Sequence, residues 1–144
     1  ARIFTLSDAA SDAASAALAE RHDRLDILSG IDLNGADDVV TDVLLDLARL
    51  ETAPRARALA QSVLAGIENA TGDLYKLPLQ QAAFSVLKAA DIPSILVEAG
   101  FLSTDQDLDN LIDPLWRAGF IAGLRDGLAA WVISDRAEAT LRRR

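Results

Sequence analysis

Glu98 is the residue of this chain best placed for acid–base chemistry. It closes the apolar run Ser94-Ile95-Leu96-Val97, and a short branched run bounded by Pro93 and Gly100 predicts a buried strand. The carboxylate then stands at a strand end among Val97, Ala99 and Phe101, where poor hydration would raise its proton affinity. In open α/β sheets the carboxyl ends of parallel strands are where sites form. Such a group suits a general acid or base; the plainer reading is a carboxylate that caps a strand or meets a basic partner. His22, the only histidine, is the second candidate. Helical spacing puts it on the face of Ala14, Leu18 and Leu25, away from Glu20, Asp23 and Arg24. An imidazole there is either a metal ligand or a hydrogen-bonded core residue.

Composition excludes some classes of function. A net charge of −8, with Lys76 and Lys88 as the only lysines, argues against a nucleic-acid surface, and the tail of Arg142, Arg143 and Arg144 is too short to reverse that. With no cysteine there is no disulfide framework and no thiolate chemistry, which leaves the redox compartment open. No apolar run approaches the roughly 20 residues that cross a bilayer, and the opening residues lack a signal peptide's basic region and long apolar core. A chain of 144 residues, 51% of them hydrophobic, predicts one domain over residues 1–144. It opens without Met on an apparent strand, and so reads as a fragment or mature piece of something longer.

The elements that must position Glu98 and His22 follow from periodicity. Residues 2–6 carry the branched and aromatic density of a strand. Ser7 or Asp8 is expected to cap a helix over residues 8–28, with Gly30 as its stop. After a connector at Asn34-Gly35, a second helix is expected over residues 37–51, led by Asp37 and Asp38. Its apolar stripe of Val39, Val40, Val43, Leu44, Leu47 and Leu50 is broad enough to be shared with a partner or buried in a helical hairpin. Thr52 and Pro54 predict the opening of a third helix that buries Leu59, Val63 and Ile67 and ends at Thr71-Gly72. Residues 73–82 read as a polar loop, and residues 84–87 and 94–97 as strands. Thr104 and Asp107 form the pattern of a capping box, and Asp113-Pro114 opens a long last helix that frays after about Asp135. In that helix Trp116, Phe120, Leu124, Leu128 and Trp131 form an apolar line, and Gly119, Gly123 and Gly127 a smooth one for close packing on the sheet.

The stretch Val86-Leu87-Lys88, Pro93-Ser94, Leu96-Val97-Glu98 and Gly100-Phe101, with Ser103, resembles the zinc-dependent N-acetylmuramoyl-L-alanine amidases of the cell wall. Ile3-Phe4-Thr5-Leu6-Ser7 resembles the strand that follows that family's second histidine ligand, so the resemblance covers roughly the first 130 residues. It implies an α/β fold with a central, mostly parallel sheet flanked by helices, and a helical insertion between the first strand and the last two. It implies a Zn2+ ion whose His, Glu and His ligands lie upstream of this chain. Glu98 would take a proton from water activated by the zinc and return it to the leaving amine of L-Ala. This piece alone is then expected to be inactive.

Residues 8–71 resemble the regulatory insertion of the cell-division subgroup, in which a helix covers the zinc until an activator removes it. Members carry a glutamate where this chain has His22, so His22 becomes a tentative inhibitory ligand. The resemblance further implies peptidoglycan as substrate, a periplasmic location, and a LytM-type or coiled-coil activator at residues 39–50. Two rival readings remain. One is a non-catalytic helical binding module on an amidase-like scaffold. The other is a metal-free carboxylate hydrolase, for which the chain offers no nucleophile elbow, no Gly-rich phosphate loop and no second histidine.

Overall fold

The structure, a computed structural model, describes residues 1–7, 9–28 and 39–142, with side chains for 1–7, 9–21 and 47–139. Its elements are β1 (Arg2–Leu6), α1 (Ala13–Leu28), α2 (Val39–Thr71), β2 (Leu79–Ala82), a 3-10 turn (Ser85–Leu87), β3 (Leu96–Glu98), α3 (Asp105–Ile112) and α4 (Pro114–Arg142). The architecture is α/β, but the sheet is mixed rather than mostly parallel. In the order β2-β1-β3, the central β1 runs parallel to β2 and antiparallel to β3.

β1 is covered on both faces, which is why Ile3, Phe4 and Thr5 are all buried. Ile3 packs with Leu59, Val63 and Ile67 of α2 and Phe120 of α4. On the other face Phe4 packs with Ala19 of α1, Ala82 and Phe84, and the rings of Phe4 and Phe84 meet edge-on with centroids 5.1 Å apart. The result is three layers, with α2 and α4 on one side of the sheet and α1 on the other.

Several expectations change. Residues 79–82 form β2 instead of a loop: Gln80 is buried beside Phe4, and its amide donates to the Leu77 carbonyl. Residues 85–87 form a 3-10 turn instead of a strand, closed by bonds from the Leu87 and Lys88 N–H groups to the carbonyls of Phe84 and Ser85. The last strand begins at Leu96, because Ser94 is engaged in a turn with the Ile92 carbonyl. α1 starts at Ala13, where the Asp12 carboxylate accepts the Ser15 N–H at 2.7 Å; Ser7 instead accepts from Ala9. Its inward residues are Ser15, Leu18 and Ala19, and Ala14 is exposed.

The expected second and third helices are one helix, α2, with Pro54 inside it. Proline has no N–H to give the Leu50 carbonyl, yet tertiary bonds hold the chain helical on both sides of it. Thr52 donates to the carbonyls of Ala48 and Ala90, and Arg55 makes a two-point ion pair with Asp135 of α4 at 2.8 and 2.9 Å. A continuous helix cannot fold residues 39–50 back on residues 56–67, so the hairpin is excluded, and Leu47 and Leu50 are exposed. The helix ends as expected at Thr71, followed by Gly72 at φ 65°.

The glycines of α4 pack on α2 and not on the sheet. A Cβ on Gly123 would lie 2.6 Å from the Gly66 carbonyl oxygen, and one on Gly127 2.6 Å from that of Ser62. The Ser62 hydroxyl bonds the Gly127 carbonyl at 2.7 Å across this contact. α4 runs on to Arg142, and Asp113 caps it through the Leu115 N–H. Leu128 is exposed, whereas Trp116, Phe120, Leu124 and Trp131 join the core. The side chains of Leu25, Leu28, Val39, Val40, Val43 and Leu44, the connector at Asn34-Gly35, Asp8 with Asp37 and Asp38, and the final arginines lie outside the described residues.

Candidate active site

Glu98 is the last residue of β3 and is half-buried. Because β3 is antiparallel to β1, Glu98 faces Arg2 at the start of β1 and lies away from the carboxyl ends of β1 and β2. Direct antiparallel partners share a face, with Cβ atoms about 5 Å apart, so the Arg2 and Glu98 side chains are neighbours. Alternation puts both on the face of Phe4 and Leu96, which is the face that α1 covers.

Three rings hold the Arg2 guanidinium. It lies 5.2 Å from the centroid of Tyr75, 5.8 Å from Phe101 and 6.0 Å from Phe4. The Tyr75 and Phe101 rings are themselves tilted together at 5.5 Å. Asp107 of α3 fixes that pair, since its Oδ2 accepts the Tyr75 hydroxyl and also, at 2.8 Å, the Phe101 N–H. Gly100 permits this approach: a Cβ there would meet the Cβ of Asp107 at 3.1 Å. Asn110 of the same helix donates to Asp73 at 2.8 Å and ties α3 to the segment that carries Tyr75.

Burial pushes the Tyr75 hydroxyl up from its ordinary value, and its bond to the Asp107 carboxylate adds to that. Burial also acts to raise Asp107, but the bonds from Tyr75 and Phe101 outweigh it and hold this carboxyl below the usual range. Asp107 is therefore a charged anchor for the turn that follows Glu98. The sequence pattern assigned it to a capping box; Thr104 does precede α3, but it makes no side-chain cap bond, its N–H donates to the Phe101 carbonyl, and the Asp107 carboxylate is engaged with Tyr75 and Phe101 instead.

Sequence reasoning passed over Arg2, Tyr75 and Asp107. The signal for Arg2 was present, as an arginine in step with Phe4 and Leu6 on the covered face of a strand. The His22 side chain lies outside the described residues, so the two expected site residues are not brought together in what is described. Among the described residues no group of three or more His, Cys, Asp or Glu side chains could hold a metal ion. These residues do not build a metal site on their own.

A cavity of about 690 Å³ opens at the other end of the sheet, between the end of β1, the middle of α2 and residues 87–94. It does not include Glu98.

The α/β layer ends one strand on a half-buried carboxylate beside a clamped arginine, and comparison with known proteins supplies the class. The family model described as N-acetylmuramoyl-L-alanine amidase matches residues 10–130, and the chain belongs to that family. It is 30% identical over 132 residues to the N-acetylmuramoyl-L-alanine amidase AmiA of Salmonella typhimurium, covering 91% of this chain and 45% of that protein. The AmiA of Escherichia coli matches at the same identity and coverage. An Escherichia coli AmiC is 30% identical over 99% of this chain and 33% of its own length. The chain thus spans less than half the length of these relatives. No described helix is long and apolar enough to cross a membrane.

Proposed function

We propose that the whole protein is a peptidoglycan hydrolase that cleaves the amide between N-acetylmuramic acid and the L-Ala of the stem peptide, with Glu98 as its proton carrier. The observation that carries this is the place of Glu98, at the end of β3 within the matched family region and beside a fixed cation. The Glu98 carboxylate takes a proton from the attacking water as oxygen bonds to the carbonyl carbon. It then gives that proton to the amide nitrogen as the C–N bond breaks, which leaves a carboxylic acid and a free amine. The reading includes zinc dependence, with the ion held by ligands outside these residues, and a periplasmic location.

Regulation belongs to the same reading. We place the control region within residues 8–71 of a single domain, and its movable part in α1 and the first half of α2, because the second half of α2 supplies the core residues Leu59, Ala60, Val63, Leu64 and Ile67. α1 packs on the same face of the sheet as Glu98, against β2 and the 3-10 turn, the side from which an inhibitory cover would have to approach. His22 is the residue of this helix proposed to act as the inhibitory zinc ligand. Residues 39–50 are proposed to receive a LytM-type or coiled-coil activator, which is consistent with the exposure of Leu47 and Leu50.

Glu98→Gln in the full-length protein tests the catalytic role. Hydrolysis of peptidoglycan should fall by roughly 10²–10⁴-fold while thermal unfolding is unchanged. Near-normal hydrolysis would remove Glu98 from the chemistry. His22→Ala should raise hydrolysis without the activator, and lost stability with no gain of rate would make it a core histidine.

A further inference from the structure

The cavity remote from Glu98 has a charge that the rest of the chain does not. The sequence holds 22 acidic and 14 basic residues, yet the described lining carries Arg49, Arg57 and Lys88 and no Asp or Glu. Its floor is built. Thr52 bonds the Ala90 carbonyl at 3.0 Å, and Arg49 bonds the Lys88 carbonyl at 3.3 Å, so α2 and the loop after the 3-10 turn are held together. Arg57 and Lys88 are exposed at the rim, over an apolar interior that includes Leu6, Pro54 and Pro93. About 690 Å³ of mostly apolar space with a few placed polar groups is the form of a site for a small organic ligand or short peptide.

We propose that this cavity is a second binding site, for the carboxylates of a peptidoglycan stem peptide. The chemistry selects the ligand class: two exposed cations, with no carboxylate among the described lining residues, favour an anion, and the apolar interior favours one carried on a short aliphatic peptide. The identity of that peptide rests on the amidase reading. From Arg2 to Thr5, where the lining of the cavity begins on β1, the chain advances three residues, about 10 Å at strand rise, and neither Arg2 nor Glu98 lines the cavity. The site would hold one stem peptide of the polymer while another part of the polymer reaches the reacting end. Exposed charge pairs are weak and screened by salt, so binding of a single peptide should be modest, whereas a polymer that repeats the peptide gains from effective concentration.

The test is an NMR shift titration of the full-length protein at low salt with the synthetic tripeptide L-Ala-γ-D-Glu-L-Ala, and with the same tripeptide bearing carboxamides in place of its carboxylates. The free tripeptide should bind, and the double variant Arg57→Glu/Lys88→Glu should raise its Kd at least about tenfold, as should amidation of the peptide. Arg57→Gln/Lys88→Gln, matched to the wild type in thermal unfolding, serves if the charge reversal disturbs folding. Equal binding by wild type and variants, or equal binding of the carboxamide, would overturn the site. Cleavage of a soluble muramoyl peptide by the wild type is measured in parallel. If cleavage is present and binding is indifferent to the variants, the cavity proposal fails alone. If cleavage is absent from both the wild type and the His22→Ala variant, in which the proposed inhibition is removed, the amidase reading fails and the titration still decides whether the cavity takes carboxylates.

Discussion

Arg2 and Glu98 face each other across β1 and β3, at the end of the sheet where one strand begins and the other stops. The guanidinium is held by the rings of Tyr75, Phe101 and Phe4, and its Nε is buried without a hydrogen bond among the described residues. For stability these effects oppose each other: contact with aromatic faces contributes about 0.5–2 kcal/mol, and an unsatisfied buried donor costs about 1–3 kcal/mol. Arg2→Met keeps the bulk and removes both. It should leave denaturant stability within about 1 kcal/mol while lowering kcat/KM roughly tenfold, equivalent to about 1.4 kcal/mol, through loss of the charge beside Glu98. A large drop in stability with kcat/KM unchanged would show that the arginine serves packing alone.

Asp107 gives the fold a defined acid sensitivity. Its carboxyl is held below the usual 3.8, so the folded state binds this proton less readily than the unfolded chain. The associated stability is present above pH 3.8 and is lost as pH falls through the lower folded-state value. Asp107→Ala should cost about 1.5–3 kcal/mol near neutral pH, the range for hydrogen bonds to a charged group, and less at pH 2. Urea unfolding of wild type and variant at the two pH values measures the difference. An equal loss at both would show that charge plays no part.

The α2–α4 contact should tolerate no side chain at its closest points. Backbone atoms would lie 2.3 Å from a Cβ on Gly66 and 2.6 Å from one on Gly123, so the helices must separate. Overpacking of this kind costs about 1–3 kcal/mol. Gly123→Ala should lower stability by about that amount, whereas Gly119→Ala, whose Cβ would find its nearest neighbour at 3.5 Å, should be neutral or gain slightly from helix propensity. Thermal melts of the two variants give the comparison, and equal effects would contradict the packing.

How much of this was legible in the sequence depended on whether a signal was local. β1 was readable because Ile3, Phe4 and Thr5 are dense in branched and aromatic residues, and α4 because Asp113-Pro114 and a heptad-like apolar line mark it. β2 was not, since Leu79-Gln80-Gln81-Ala82 has the polarity of a loop and gains its partners only from the buried edge of β1. Pro54 read as a helix start because local rules place proline in a first turn; the bonds that carry the helix past it come from Ala90 and Asp135, both distant in sequence. The glycine line was visible, but the surface it meets was not. Glu98 was found from its strand and motif. Its neighbour Arg2 depends on the direction of β3, which no local pattern encodes.

Leu47 and Leu50 supply the last prediction. They lie on α2 ahead of Pro54, with 63% and 73% of their surfaces exposed. A residue so exposed has little packing to lose, so Leu47→Glu or Leu50→Glu should change stability by no more than about 0.5 kcal/mol. If this stretch receives the proposed activator, each exposed leucine is a candidate anchor, and a buried charge there would be strongly unfavourable. Activation in the full-length protein should then fall at least about tenfold in either variant, with the unstimulated rate unaltered. Hydrolysis assayed with and without the activator, alongside thermal unfolding, separates the outcomes. Full activation of both variants would place the partner elsewhere, and unfolding of either would mean that the leucines are covered by the protein itself.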